Sequence, residues 1–272
     1  MTDADRAASA AASVAASVAA PAAASVAASA KGAVISLGGA FMISRYAKAA
    51  AADQGFEGIW TSYFAGRCGA LGAVDADVVS AALVFYPADV VRVGWEAAWA
   101  STDPARSATR YAQACHEWGR AKLDGFTGAG RLADLAGRVA AAGDVAGLPL
   151  FAAWRATEVP ADDPARAALA LQVLREHRGG LHGVAVLAQG LTPLQAILSG
   201  PGGQANAAFF GWRGPFQDVS GLREARAQAE SRTDELAGRA YAALTDGESA
   251  ELAGLLDKAV AHVAGRATLE GR

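Results

Sequence analysis

This sequence predicts an all-α, multi-helix bundle behind a disordered alanine-rich N-terminal tail. Three observations carry that expectation. Capping side chains stand directly before prolines at several places, apolar residues recur at helical spacing, and the strict alternation of a half-buried strand is nearly absent. The chain has 272 residues, 53% of them apolar, which suffices for a sizeable core and argues against disorder of the whole. Much of that apolar share is alanine, which lets helices approach closely but buries little area per residue.

Residues 1–31 read as a low-complexity tail, AASAAASVAASVAAPAAASVAASA from Ala7 to Ala30, interrupted by Pro21. Asp3 and Asp5 precede it beside a single Arg6, unlike the basic start of a secretory signal. Alanine mixed with serine also falls short of the roughly 20 strongly apolar residues of a membrane span. A disordered or transiently helical tail with no membrane association is the expectation.

A main helical domain is expected over residues 32–199. Pro87 opens an apolar run through Val90, Val91, Val93 and Trp95 to Trp99, and Tyr111, Cys115 and Trp118 mark one face of the next helix. Asp103-Pro104, Asp163-Pro164 and Thr192-Pro193 each pair a cap with a proline at the first helical position, where the missing N–H is an orphan anyway. Ala165, Leu169 and Val173 form one stripe, widened by Leu171 and Leu174. That helix is expected to run from Ala165 to Arg178 and to close at Gly179-Gly180. The glycine-rich segment 200–221 reads as an irregular linker. Residues 222–272 read as a C-terminal helical pair, with Leu252, Leu255, Leu256, Val260 and Val263 on one side of its last member.

Composition narrows the function. The formal net charge is −3, whereas an autonomous DNA-binding domain usually carries a basic surplus, so DNA is disfavoured as a partner. Cys68 and Cys115, the two cysteines, make neither a disulfide framework nor a four-ligand zinc site and fit a reducing cytoplasm. No phosphate-binding loop, dinucleotide fingerprint, nucleophile elbow, HExxH or EF-hand loop occurs, so no cofactor and no metal are expected.

The segment Arg175–His182, reading REHRGGLH, is the densest candidate for chemistry. As a helix end, its cations complement the macrodipole and need no ligand. As a pocket wall, it offers His177 and His182 as general acid or base near neutral pH, with Glu176 setting a tautomer. Arg175 and Arg178 would then bind an anionic group bidentately. The break at Gly179-Gly180 lets His182 turn back toward His177. A metal site from His177, His182 and Glu176 is disfavoured, because the spacing matches no standard motif.

Trp60–Cys68 interleaves aromatics with Arg67. It reads either as a core cluster with a snorkelling arginine or as a pocket wall, with Tyr63 giving a hydroxyl and Arg67 a charge. Tyr86, in Phe85-Tyr86-Pro87, is either a packed turn aromatic or another cavity residue. Cys68 lacks a local base and is not expected to act as a nucleophile. His116, beside Glu117, and His262 are expected on helix surfaces.

YFAGR at Tyr63–Arg67, LG at Leu71–Gly72, FYP at Phe85–Pro87, AW at Ala98–Trp99 and LREHRG followed by His182 occur in that order. Together they resemble an actinobacterial SalK-like family classed as helix-turn-helix proteins. The resemblance covers roughly Gly55 to Trp212 and resumes around Thr233-Asp234. It implies an all-helical, winged-helix-like fold, a regulatory role and a setting in natural-product biosynthesis. The chain departs from the family pattern R-E-H-R-G-D-G-H by placing Gly180-Leu181 where an Asp-Gly pair stands, which removes a carboxylate. No recognition helix and wing are evident after Trp212, which takes away the usual means of sequence-specific DNA contact.

Two function classes follow. The favoured one is a small-molecule-binding or enzyme-like protein of specialised metabolism. Its ligand would meet Tyr63, Arg67, Tyr86, Arg175 and Arg178, with Glu176, His177 and His182 as the acid–base groups. The alternative is a transcriptional regulator of the helix-turn-helix family. Self-association into a homodimer through alanine-rich faces is a further expectation.

Overall fold

Helices begin where the chain supplies acceptors for their orphaned N–H groups. Ser44 accepts from Tyr46 and Ala47, Asp75 from Asp77, Asp103 from Arg106, and Thr192 closes a reciprocal capping box with Gln195. The cap before Pro164 is Asp162, one residue ahead of expectation, so Asp163 is the first helical residue.

The computed structural model describes residues 22–266 in full and the helical backbone out to residues 3 and 270. Its elements in chain order are α1 (Asp3–Ala40), α2 (Arg45–Ala52), α3 (Ile59–Cys68), α4 (Ala76–Leu83), α5 (Ala88–Ser101) and α6 (Pro104–Lys122). They continue with α7 (Ala129–Ala142), α8 (Pro149–Arg155), α9 (Asp163–Ala188), α10 (Pro193–Leu198), α11 (Gly203–Phe209), α12 (Arg223–Tyr241) and α13 (Asp246–Glu270). No strand occurs among the described residues, so the fold is all-α and no wing hairpin forms within them.

The long α9 is the centre of the bundle, with α1, α6, α7, α8 and α12 packed around it. Its Ala168, Leu169, Leu171, Val173 and Leu174 are buried with Phe151 and Trp154 of α8, Leu132 and Val139 of α7, and Trp118 of α6. The same core takes in Tyr241 of α12 and Leu252 and Leu256 of α13. Over the described residues, α12 and α13 thus share one core with the body instead of standing beyond a linker. The expected linker is itself built. It holds α11, and Phe210, Trp212 and Phe216 pack on Ile197, Leu198 and Ala207.

The tail expectation needs correction over residues 22–31. Ala23, Ala27, Ala30, Val34 and Leu37 recur at helical spacing and are all buried in the bundle. A Cβ placed on Gly238 of α12 would stand 2.6 Å from the Ala24 nitrogen, so α1 and α12 meet nearly backbone to backbone. Alanine therefore contributes through close approach, which a measure of apolar strength undervalues. What was expected of residues 1–21 lies outside the fully described residues. By length and mean hydropathy (1.6) the stretch Ala22–Ala52 meets the requirement of a membrane span. It is interrupted by a 3-10 turn at Phe41–Ile43 and the Ser44 cap, and its inward face belongs to the core.

Candidate functional site

The helix carrying Arg175–His182 does not end at Gly179-Gly180. Neither glycine takes a left-handed φ, and α9 continues to Ala188. Each mid-helix glycine costs about 1 kcal/mol relative to alanine. At Gly180 and Gly183 that cost admits neighbours: a Cβ would stand 2.8 Å from the Leu148 side chain at Gly180 and 2.9 Å from Val84 at Gly183.

The helix geometry also separates the two histidines. Residues five apart on an unbroken helix diverge by about 140°, so His182 does not turn back toward His177. His177 packs on the Phe151 ring at 4.7 Å, and burial followed by the Arg155 charge holds its pKa down to about 4. The expected acid–base grouping of Glu176, His177 and His182 is not assembled.

Glu176 faces α3. Arg67 grips it with two parallel bonds, Nε to Oε1 at 2.8 Å and Nη2 to Oε2 at 2.7 Å. Gln172 Nε2 donates to Oε1 at 2.7 Å and Arg175 Nη1 at 3.2 Å. Burial pushes the Glu176 carboxyl up, and Arg67, with Arg175 and the Gln172 hydrogen bond, together outweigh it, leaving the group below the usual carboxylate range. With its oxygens so occupied, Glu176 has little lone-pair capacity for proton transfer and instead orients Arg67. Arg67 also donates Nη1 to the Tyr63 hydroxyl at 2.6 Å. Tyr63 and Tyr86 lie ring to ring at 5.8 Å within an aromatic group that includes Trp60, Phe64 and Phe210. Burial raises the Tyr86 phenol, which stays protonated. Cys68 is buried and its thiol is pushed up to about 12, chiefly by burial.

Two residues further along α9, Arg178 bridges to α12. It donates to Asp234 at 2.7 Å and also to Glu230, which accepts from Arg226 at 2.9 Å as well. Lys31 of α1 joins Asp234 at 3.1 Å. His182 Nδ1 lies 3.0 Å from Thr233 Oγ1, whose own proton goes to the Ala229 carbonyl at 2.7 Å. Nδ1 therefore carries the ring proton, and Nε2 keeps a lone pair. Burial first, then the Arg226 charge, hold His182 down to about 4, so it is neutral at pH 7.

These groups border one cavity of about 370 Å³. All five residues predicted to meet a ligand, Tyr63, Arg67, Tyr86, Arg175 and Arg178, line it, as do Glu176 and His182; His177 does not. Sequence reasoning missed Arg226 and Glu230 of α12, and Phe210, which also line it. The one signal for the α12 residues was the resumed resemblance around Thr233-Asp234. His116 is half-buried with Nε2 unpartnered, and Glu117 pairs with Arg110 instead. Among the described residues no group of three His, Cys, Asp or Glu side chains is placed to hold a metal ion.

The fourth wall is the turn between α4 and α5, Val84–Pro87. Phe85 stacks on His182 at 5.5 Å and 25°, and its carbonyl accepts from Trp212 Nε1 at 2.9 Å. Val84 sits at φ 60°, ψ −55°, a conformation that strains a β-branched residue. Beyond this turn, the exposed face of α5 holds Asp89, Arg92, Val93 and Glu96. Arg92 pairs with Asp77 and lies 3.8 Å from Glu96, so that face has no free basic group.

Comparison with curated proteins and with solved structures gives no match. Comparison with family models gives one whose description is "Helix-turn-helix family", and it matches residues 27–215, from the inner half of α1 through α11. The chain belongs to this helix-turn-helix family.

Proposed function

We propose that the protein is a ligand-responsive regulator of the helix-turn-helix type, acting in the cytoplasm. The observation that carries this reading is the shared wall. The α4–α5 turn, strained at Val84 and stacked on His182 through Phe85, lines the same cavity as Arg175 and Arg178. A small molecule there touches both α9 and the turn that sets the direction of α5, which is the coupling a ligand-controlled equilibrium needs. Family membership favours nucleic acid as the output. The test is fluorescence anisotropy with a labelled duplex from the region upstream of its own coding sequence, at low salt. Saturable binding is expected. Absence of binding even at about 50 mM salt sinks the regulator reading, because phosphate contacts are strongest there.

A second reading keeps the cavity and drops the DNA: a ligand-binding or enzyme-like protein. The paired charges on the exposed face of α5 favour it. The same titration separates the two, since this reading expects no duplex binding at any salt.

A further inference from the structure

The cavity is electrostatically unusual for this chain. Its lining sets Arg67, Arg175, Arg178 and Arg226 against Glu176 and Glu230, a local surplus of two positive charges in a protein whose net charge is −3. The surplus is not evenly spread. Arg67 is gripped by Glu176 and Tyr63, Arg178 sits between Glu230 and Asp234, and Arg226 binds Glu230 and the Ala196 carbonyl. Arg175 donates a single bond, at 3.2 Å, to a Glu176 oxygen already shared with Arg67 and Gln172. A guanidinium has five donors, so most of those of Arg175 remain for something else. Its side chain is three-quarters buried, and its one carboxylate partner there, Glu176, is already committed to Arg67, so a ligand anion would complete its pairing.

The cavity is also long and graded. Its lining follows α9 from Arg175 to Leu187, about 18 Å at the helical rise. Arg67, Arg175 and Glu176 stand at one end, and Arg178, Arg226 and Glu230 gather near His182 farther along α9. Phe85, Tyr86 and Phe210 form the middle, and Val184 and Leu187, both exposed large apolar side chains, close the far end.

We propose that this cavity receives an amphiphilic organic anion, its acidic head on Arg175 and its aromatic or aliphatic body laid along α9 toward Val184 and Leu187. The inference rests on the reading of the cavity as the ligand site and adds the chemical class of the ligand. A neutral body alone would leave Arg175 unanswered, and an inorganic anion alone would leave the apolar end exposed to water.

The test is a dye titration without DNA. The probes are 1-anilinonaphthalene-8-sulfonate and N-phenyl-1-naphthylamine, which share the ring system and differ by the sulfonate. Wild-type protein is expected to bind the sulfonate at least about tenfold more tightly, equivalent to about 1.4 kcal/mol. Arg175→Gln removes that preference, while Arg175→Lys, which keeps the charge but not the fork, retains affinity within about threefold. Leu187→Ser weakens both dyes together, and decanoate displaces the sulfonate dye where decanol does not. Equal affinity of the wild type for the two dyes overturns the inference, and so does a folded Arg175→Gln protein that keeps the preference. The wild-type comparison decides the point even if Arg175→Gln unfolds. Charge-selective dye binding without any duplex binding leaves this inference standing and removes the regulator reading; duplex binding without charge selectivity does the reverse.

Discussion

Replacing Glu176 by glutamine tests the electrostatic centre of the site most directly. The carboxylate side chain is 1% exposed and its Arg67 partner 10%, with two parallel bonds of 2.8 and 2.7 Å between them. Removing the charge leaves the Arg67 guanidinium buried without its counter-ion. Breaking one side of such a pair costs about 3–5 kcal/mol, whereas exchanging both partners for apolar groups of similar volume is near neutral. For a chain of this size that cost corresponds to a fall in Tm of roughly 6–20 °C. Differential scanning calorimetry of E176Q, E176L, R67M and the R67M/E176L double variant at pH 7 reads the effect. Each single change is expected to destabilise strongly and the double no more than either, a coupling of several kcal/mol. A loss below about 1 kcal/mol for E176Q, or strict additivity in the double, refutes the description of the pair as a buried, mutually dependent unit.

Stability is expected to fall as pH drops from 6.5 toward 4. His177 and His182 are each held down to about 4 from an ordinary 6.5, so across that window the unfolded chain binds more protons than the folded one. The loss approaches about 3 kcal/mol per histidine, and a urea midpoint unchanged between pH 7 and 5 would contradict it. Glu176, depressed when folded, adds stability above its ordinary value that is lost as pH falls further. Gly238→Ala is expected to cost about 1–3 kcal/mol by forcing α12 off α1; no effect in a denaturant titration would mean that residues 22–31 are not packed. Gly179→Ala, with nothing within 4 Å of its new Cβ, is expected to stabilise by about 0.5–1 kcal/mol in the same titration. Duplex contact made through α5 predicts a shallow salt dependence, log K against log salt near −1 to −2, because that helix offers one already paired arginine; a slope steeper than about −5 places the contact surface elsewhere.

Much of the helical layout was legible from local chemistry. Asp103-Pro104 and Thr192-Pro193 mark helix starts because the acceptor, the missing N–H and the preset φ all act within one turn. Tyr63, Arg67, Tyr86 and Arg175 were legible as cavity candidates for a different reason: charged and aromatic side chains stand out in an alanine-rich chain. The failures share one cause. Gly179-Gly180 looks like a helix end because glycine often takes a left-handed φ at a terminus, yet Leu148 and Val84 need room at Gly180 and Gly183 and the helix runs on. His177 and His182 look like partners because they are close in sequence, yet an unbroken helix turns them apart.

The sequence by itself determined that this chain is helical, where several of its helices begin, and which side chains are chemically conspicuous, since each depends on neighbours within a turn or two. Only the tertiary structure decided that Ala23 and Ala27 belong to the core, that Glu176 is committed to Arg67 across 109 residues, and that His182 answers to Thr233 on α12. Those outcomes depend on how closely two backbones approach, and which pairs approach is decided between residues far apart in the sequence.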